Sequence, residues 1–366
     1  MRCLTNEQLQ SKTISFLRFP LIIGILFIHS QTSLAVVGGL LNVYTPIFDT
    51  VRDLCSFVLP AVSVPLFFLI SGYLFFYNTN FSKKVFVEKI KKRGKTLLTP
   101  YLYWNGIYLL FNIVVSYIPT FSSMFKGNPG PISFADVISA MWSYTMGVEH
   151  VYPIAYHFWF IRDLMVMVIL SPLYYIFIKQ TKTYGIFCVA ILWCCGYSIP
   201  YLGMRGMSSA AIFFYMLGAW FSINRKNLIT ECRKYKKLVL ILYPLLVVVD
   251  LCTIHEVYNI YIRNIGILFG LIYHLVFASN VIQRRSMPSL AFWSSVSFFV
   301  FAIHDPWILT QLRKVTIKLF SPATDASLLF FYFINILLTI IISVVIYMII
   351  RRKVPRFTAV ITGGRN

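Results

Sequence analysis

The sequence predicts an all-α, polytopic membrane protein: a bundle of about ten transmembrane helices with both termini in the cytoplasm. Three observations carry this. Of 366 residues, 58% are hydrophobic and only 12% charged, against about 25% charged in soluble domains. The apolar stretches are continuous over about 17–25 residues, the length that crosses a hydrocarbon core as a helix, and do not alternate as barrel strands do. The 33 lysines and arginines sort onto alternate loops, 25 on one side and 7 on the other, with Arg162 inside a span. Cations accumulate on the cytoplasmic side. The net charge of +21 is therefore a topology signal, with membrane lipid as its partner, and argues against nucleic-acid binding.

Residues 1–13 are polar and form a cytoplasmic tail. The first span, 14–37, is too long for the core of a cleavable signal peptide and reads as a signal anchor. It holds Arg18 and His29. Eleven residues at about 100° each bring both side chains to one helix face, about 16 Å apart along the axis. Ionisable groups inside a span are costly and point to function. Arg18 has a bland alternative as an anchor that snorkels to the surface, and His29 one as a hydrogen bond between helices.

The second span, 54–77, carries Pro60 and Pro65, which should kink it and free carbonyls. Its run from Pro65 to Tyr73 places the small pair Ser71–Gly72 among bulky side chains, where a second backbone or a ligand can come close. Lys91, Lys92, Arg93 and Lys95 precede the third span, 97–118. They read as topology charge or as a cationic rim for a phosphorylated ligand. Residues 119–153 form the one long loop, outside the membrane and rich in Pro, Gly and Ser.

The fourth span, 154–178, opens on His157-Phe158-Trp159-Phe160-Ile161-Arg162-Asp163. Arg162 and Asp163 are adjacent, so they project about 100° apart, and each is expected to find its partner on another helix. The spans at 184–200 and 208–223 are short. Those at 237–254 and 262–281 follow. The ninth, 290–311, aligns Ser297 and His304 two turns apart, and Pro306 should pull Asp305 out of the helix. The tenth is 328–350, and 351–366 is a cytoplasmic tail. His274, Asn264 and Asn335 form no pattern with the rest and read as helix-packing groups.

The seven cysteines have no metal or redox spacing, so no metal site is expected. There is no P-loop or GxGxxG. No corresponding pair of broken spans marks an inverted-repeat carrier. The whole of 1–366 reads as one transmembrane domain.

Arg18-x10-His29, Phe68-Leu69-Ile70-Ser71-Gly72-Tyr73, His157-Phe158-Trp159-Phe160, Phe213-Phe214-Tyr215-Met216-Leu217-Gly218 and Ser297-Phe298-Phe299-Val300-Phe301-Ala302-Ile303-His304 together resemble the acyltransferase 3 family, in family order from about residue 12 to 350. The resemblance implies an integral enzyme of the bacterial inner membrane. Such enzymes O-acylate extracytoplasmic or lipid-linked glycans, usually with acetyl from cytoplasmic acetyl-CoA as co-substrate. It makes His29 and Arg18 catalytic and places Ser71 and Gly72 at the donor. The family's Arg-x-Arg before the third span is here Lys91-Lys92-Arg93, a departure that leaves the local charge intact. The hydrolase-like domain appended in some relatives is not seen, so the transfer is finished here or by a partner.

The expected mechanism brings acyl-CoA from the cytoplasm to Arg18 and the Lys91–Lys95 cluster, with its thioester passing Ser71 and Gly72. His29 is then a general base on a sugar hydroxyl or a transient acyl acceptor. His157, Trp159, Arg162, Asp163 and His304 would shape the acceptor half. Two rivals use the same spans: a transporter or flippase for a lipid-linked glycan, and a membrane sensor or scaffold.

Overall fold

The computed structural model describes residues 4–39, 44–116, 133–143, 152–196 and 207–365, and among them there is helix and no strand. The long external loop falls mostly outside the described residues.

Helix α1, Asn6–His29, begins earlier than its apolar run because Thr5 and Gln8 form a capping box, each side chain bonded to the other's backbone N–H at 3.2 Å. It ends at His29, short of the expected residue 37. There the run Ser30-Gln31-Thr32-Ser33 competes for backbone groups: Ser30 Oγ donates to Leu26 O at 3.0 Å, and Ser33 caps a separate turn, Leu34–Val37. The predicted first span is corrected on both ends.

Helix α2, Pro46–Phe76, passes through a π turn at Leu54–Val58 and a 3₁₀ turn at Leu59–Val62. The second turn contains Pro60, which lacks the N–H an α-helix needs. Helix α3, Lys83–Arg93, leads through the π turn Gly94–Leu98 into α4, Thr99–Ser116. Helices α5, Trp159–Ile169, and α6, Ser171–Cys194, meet at a 61° bend. Within α6, Lys182 leaves helical geometry at φ 55°, ψ −130°, between the expected fourth and fifth spans.

Then come α7, Ser209–Ile223, α8, Lys236–Cys252, and α9, Asn259–Arg284. Helix α10, Leu290–Ile303, gives way to a break at His304–Ile308, where Asp305 is extended at φ −140°, ψ 142° before Pro306. The chain continues through α11, Leu309–Phe320, α12, Asp325–Lys353, and α13, Pro355–Ile361. Among the described residues, five helices are long and apolar enough to cross a membrane, six if the bent pair α5–α6 is one crossing. Helix α7 has 15 residues, about 22 Å of rise against a hydrocarbon core of about 30 Å.

Helix α1 packs against α2, α9 and α10. Close approach is set by glycines. A Cβ on Gly72 would lie 2.1 Å from Tyr215 O, and one on Gly218 1.9 Å from Leu69 O. Each glycine thus admits the other helix's backbone, locking α2 to α7.

Candidate active site

Helices α1 and α10 run side by side in the same direction. Arg18 donates from a guanidinium nitrogen to Ser294 Oγ at 3.0 Å at one end. At the other end the rings of His29 and His304 are 5.1 Å apart. Between them lies a cavity of about 170 Å³. Arg18, Ile22 and Ile25 line it from α1, and Ser294, Ser297, Phe298 and Phe301 from α10. On α1 the lining follows an i, i+4, i+7 row that His29 continues. On α10, Ser297 and Phe301 lead in the same way to His304. Phe301 closes the cavity toward the histidines, its ring 5.3 Å from His157 and 6.1 Å from His304.

The opposite end is cationic. Arg93, at the end of α3, and Arg365, beyond α13, join Arg18 in the lining. Arg365 stacks 4.4 Å over the Phe298 ring and donates to Thr362 O at 2.9 Å. Among the described residues no carboxylate pairs with any of the three. Burial holds the Arg93 guanidinium below its ordinary range. Burial, then repulsion from Arg18 and Arg93, brings Arg365 down to about 9. This end of the cavity is therefore positively charged.

At the other end three imidazoles cluster, with ring centroids 5.1 Å apart for His29–His304, 5.0 Å for His157–His304 and 6.5 Å for His29–His157. Their protons can be assigned from their partners. The Tyr156 hydroxyl donates its one proton to Asp305 Oδ2. Its oxygen, 3.0 Å from His29 Nδ1, must then accept the Nδ1–H. That tautomer leaves His29 Nε2 with its lone pair. Asp305 is in turn held by Thr310 Oγ1 on its other oxygen and by the Tyr108 hydroxyl on its backbone carbonyl. His304 donates Nδ1–H to Phe301 O at 2.6 Å. Its Nε2 and the Nδ1 of His157 are buried without a partner among the described residues. His29 itself is only partly buried. The arrangement offers an oriented base, His29, backed by a carboxylate through a tyrosine. Among the described residues no group of three or more His, Cys, Asp or Glu could hold a metal ion.

The structure divides the residues singled out from sequence. Arg18, Ser71 and Arg93 line the cavity, and His157 and His304 join His29. Gly72 faces α7, while Lys91 and Lys92 are exposed and outside the lining. Trp159 is half-buried and also outside it. The expectation that Arg162 and Asp163 point apart and do not meet is corrected. The guanidinium folds back onto its neighbour, with Nε and a terminal nitrogen 3.1 and 3.0 Å from Asp163 Oδ1. Adjacent Cβ directions do not limit a side chain with that reach. Each also meets the end of another helix, as expected: Arg162 donates to Trp142 O at 2.8 Å, at the close of a helix Phe134–Trp142, and Asp163 Oδ2 accepts Ser208 N–H at 3.2 Å, at the N-cap of α7. Three side chains of this arrangement, Tyr156, Ser294 and Arg365, are not among those singled out from sequence. Tyr156 stands directly beside His157, a signal available in the motifs. Ser294 is one turn before Ser297. Arg365 offered no sign beyond its charge.

Comparison with known proteins gives this site a context. The chain is 24% identical over 368 aligned residues to the succinoglycan biosynthesis protein ExoH of Rhizobium meliloti (strain 1021), covering 97% of this chain and 93% of that protein. No solved structure matches it. A family model described as an acyltransferase domain matches residues 12–348. That match takes in both ends of the α1–α10 slot and every cavity residue except Arg365, so the chain is an acyltransferase, a member of the acyltransferase 3 family.

Proposed function

We propose that this multi-pass membrane enzyme moves an acyl group, in the first instance acetyl, from cytoplasmic acyl-CoA to a hydroxyl of an extracytoplasmic or lipid-linked glycan. The observation that carries the reading is the alignment of two ends along α1 and α10: guanidinia that meet no carboxylate among the described residues at one end, an oriented imidazole at the other, and between them a largely apolar cavity that Phe301 closes toward the imidazoles. Arg18 and Arg93 take the donor's phosphates. The acyl-pantetheine arm lies past Ser71 and Ser297 toward Phe301. At His29, Nε2 removes the proton of the acceptor hydroxyl as its oxygen attacks the thioester carbonyl, and the imidazolium returns that proton to the departing thiolate. His157 and His304, with their open nitrogens, bind the acceptor hydroxyls.

The glycan acceptor is supported by the relative's role in succinoglycan biosynthesis. The orientation belongs to the same proposal: about ten crossings, both termini cytoplasmic, in the cytoplasmic membrane of a bacterium. The 25 to 7 division of cations supports it. So does the parallel course of α1 and α10, which are the first and ninth spans of that scheme.

One experiment tests donor, base and sidedness together. Purified protein in proteoliposomes receives labelled acyl-CoA on one face only, and mass spectrometry follows a glycan acceptor. Transfer is expected when acyl-CoA faces residues 83–95, and His29→Ala should abolish it at normal insertion. Transfer from the opposite face, or by the His29→Ala protein, sinks the reading.

A further inference from the structure

The segment after α13 is built to deliver a side chain. Residues Ile361-Thr362-Gly363-Gly364-Arg365 end the helix in a Schellman motif: Gly364 N–H bonds Ala359 O at 2.7 Å and Gly363 N–H bonds Val360 O at 3.2 Å. Gly363 sits at φ +65°, and a Cβ there would lie 2.4 Å from Thr96 O. The tail backbone is therefore pressed onto the turn that links α3 to α4. Trp104 Nε1–H fixes it from α4, donating to Ile361 O at 3.0 Å. The next side chain along, Arg365, enters the cavity and stacks on Phe298 beside Arg18 and Arg93.

A topology cation would snorkel outward to lipid headgroups or water. Arg365 instead turns inward, to a place where two other guanidinia already stand and, among the described residues, no carboxylate answers them. Three like charges in a partly apolar cavity are costly until an anion enters. A lone carboxylate would answer one of the three. Two linked phosphoryl groups present several charged oxygens in the spacing that forked guanidinia accept.

We propose that the tail is a working wall of the donor site, with Arg365 as the third guanidinium that grips the diphosphate of the acyl donor. The proposal rests on the reading of acyl-CoA as donor.

The test uses the full chain in detergent, with equilibrium binding of labelled CoA and of labelled pantetheine, which has the same arm and no phosphate. Arg365→Gln should weaken CoA binding about tenfold to a hundredfold, the loss of a charge-assisted bond, and leave pantetheine binding as it was. Inorganic diphosphate should compete with CoA on the wild type and compete correspondingly less well on the variant. Arg365→Lys should fall between. Equal losses for CoA and pantetheine would mean that the tail merely supports the fold, and would overturn the proposal. Unchanged CoA binding in Arg365→Gln, with weakened binding in Arg93→Gln, would remove Arg365 alone and keep the donor reading. If neither substitution affects CoA, both readings fall.

Discussion

Replacing Tyr156 by Phe takes away a single oxygen from the centre of the proposed relay. That oxygen accepts His29 Nδ1–H at 3.0 Å, and its own hydroxyl proton is donated in a hydrogen bond to Asp305. Without it, the imidazole loses the partner that sets its tautomer, and one Asp305 oxygen loses a donor. The imidazolium formed as His29 takes a proton would no longer be linked to a carboxylate. A hydrogen bond to a charged group contributes about 1.5–3 kcal/mol. Placed in the transition state, that is roughly a 10- to 150-fold fall in kcat. The apparent KM for acyl-CoA should hold, because Tyr156 lies outside the cavity lining, beyond Phe301. Initial rates in proteoliposomes across a donor series separate the two parameters, and thermal unfolding checks that the bundle survives. Asp305→Asn should follow the same pattern. A Tyr156→Phe enzyme with wild-type kcat, or one that changes only its donor KM, would refute the relay.

Two further outcomes are expected. Arg18→Lys keeps the charge and the topology signal but loses the planar fork. The apparent KM for acyl-CoA should rise roughly ten- to hundredfold while the acceptor KM stays level, and an unchanged donor curve would return Arg18 to an anchoring role. Gly218→Ala sets a Cβ against Leu69 O, where the present separation would be 1.9 Å. Parting α2 from α7 should cost about 1–3 kcal/mol, read as a lower melting temperature in detergent, and an unshifted melting curve would contradict the close approach.

Much of the molecule follows from the chain alone, and the reason is locality. Apolar run length, the Pro306 break and the one-face alignment of Arg18 with His29 depend on residues within a few turns of one another. Helical rise and periodicity turn those directly into position. Helix ends were less legible. The capping box at Thr5 extends α1 to Asn6, and the polar residues from Ser30 stop it at His29, because a hydrogen-bonded cap outweighs hydropathy at a terminus.

The chemistry of the site was decided by tertiary structure. Tyr156 meets His29 across 127 residues and Asp305 across 149. Neither pairing has a periodicity that would announce it. Ser71 and Gly72 look equivalent in sequence, yet a step of about 100° turns one to the cavity and the other to α7. Lys91, Lys92 and Arg93 form one charge run, and only Arg93 points inward. Arg365 counted from sequence as one more cytoplasmic cation. It becomes a cavity residue because Gly363 admits the backbone of a distant turn, a contact between chain segments that no local pattern encodes.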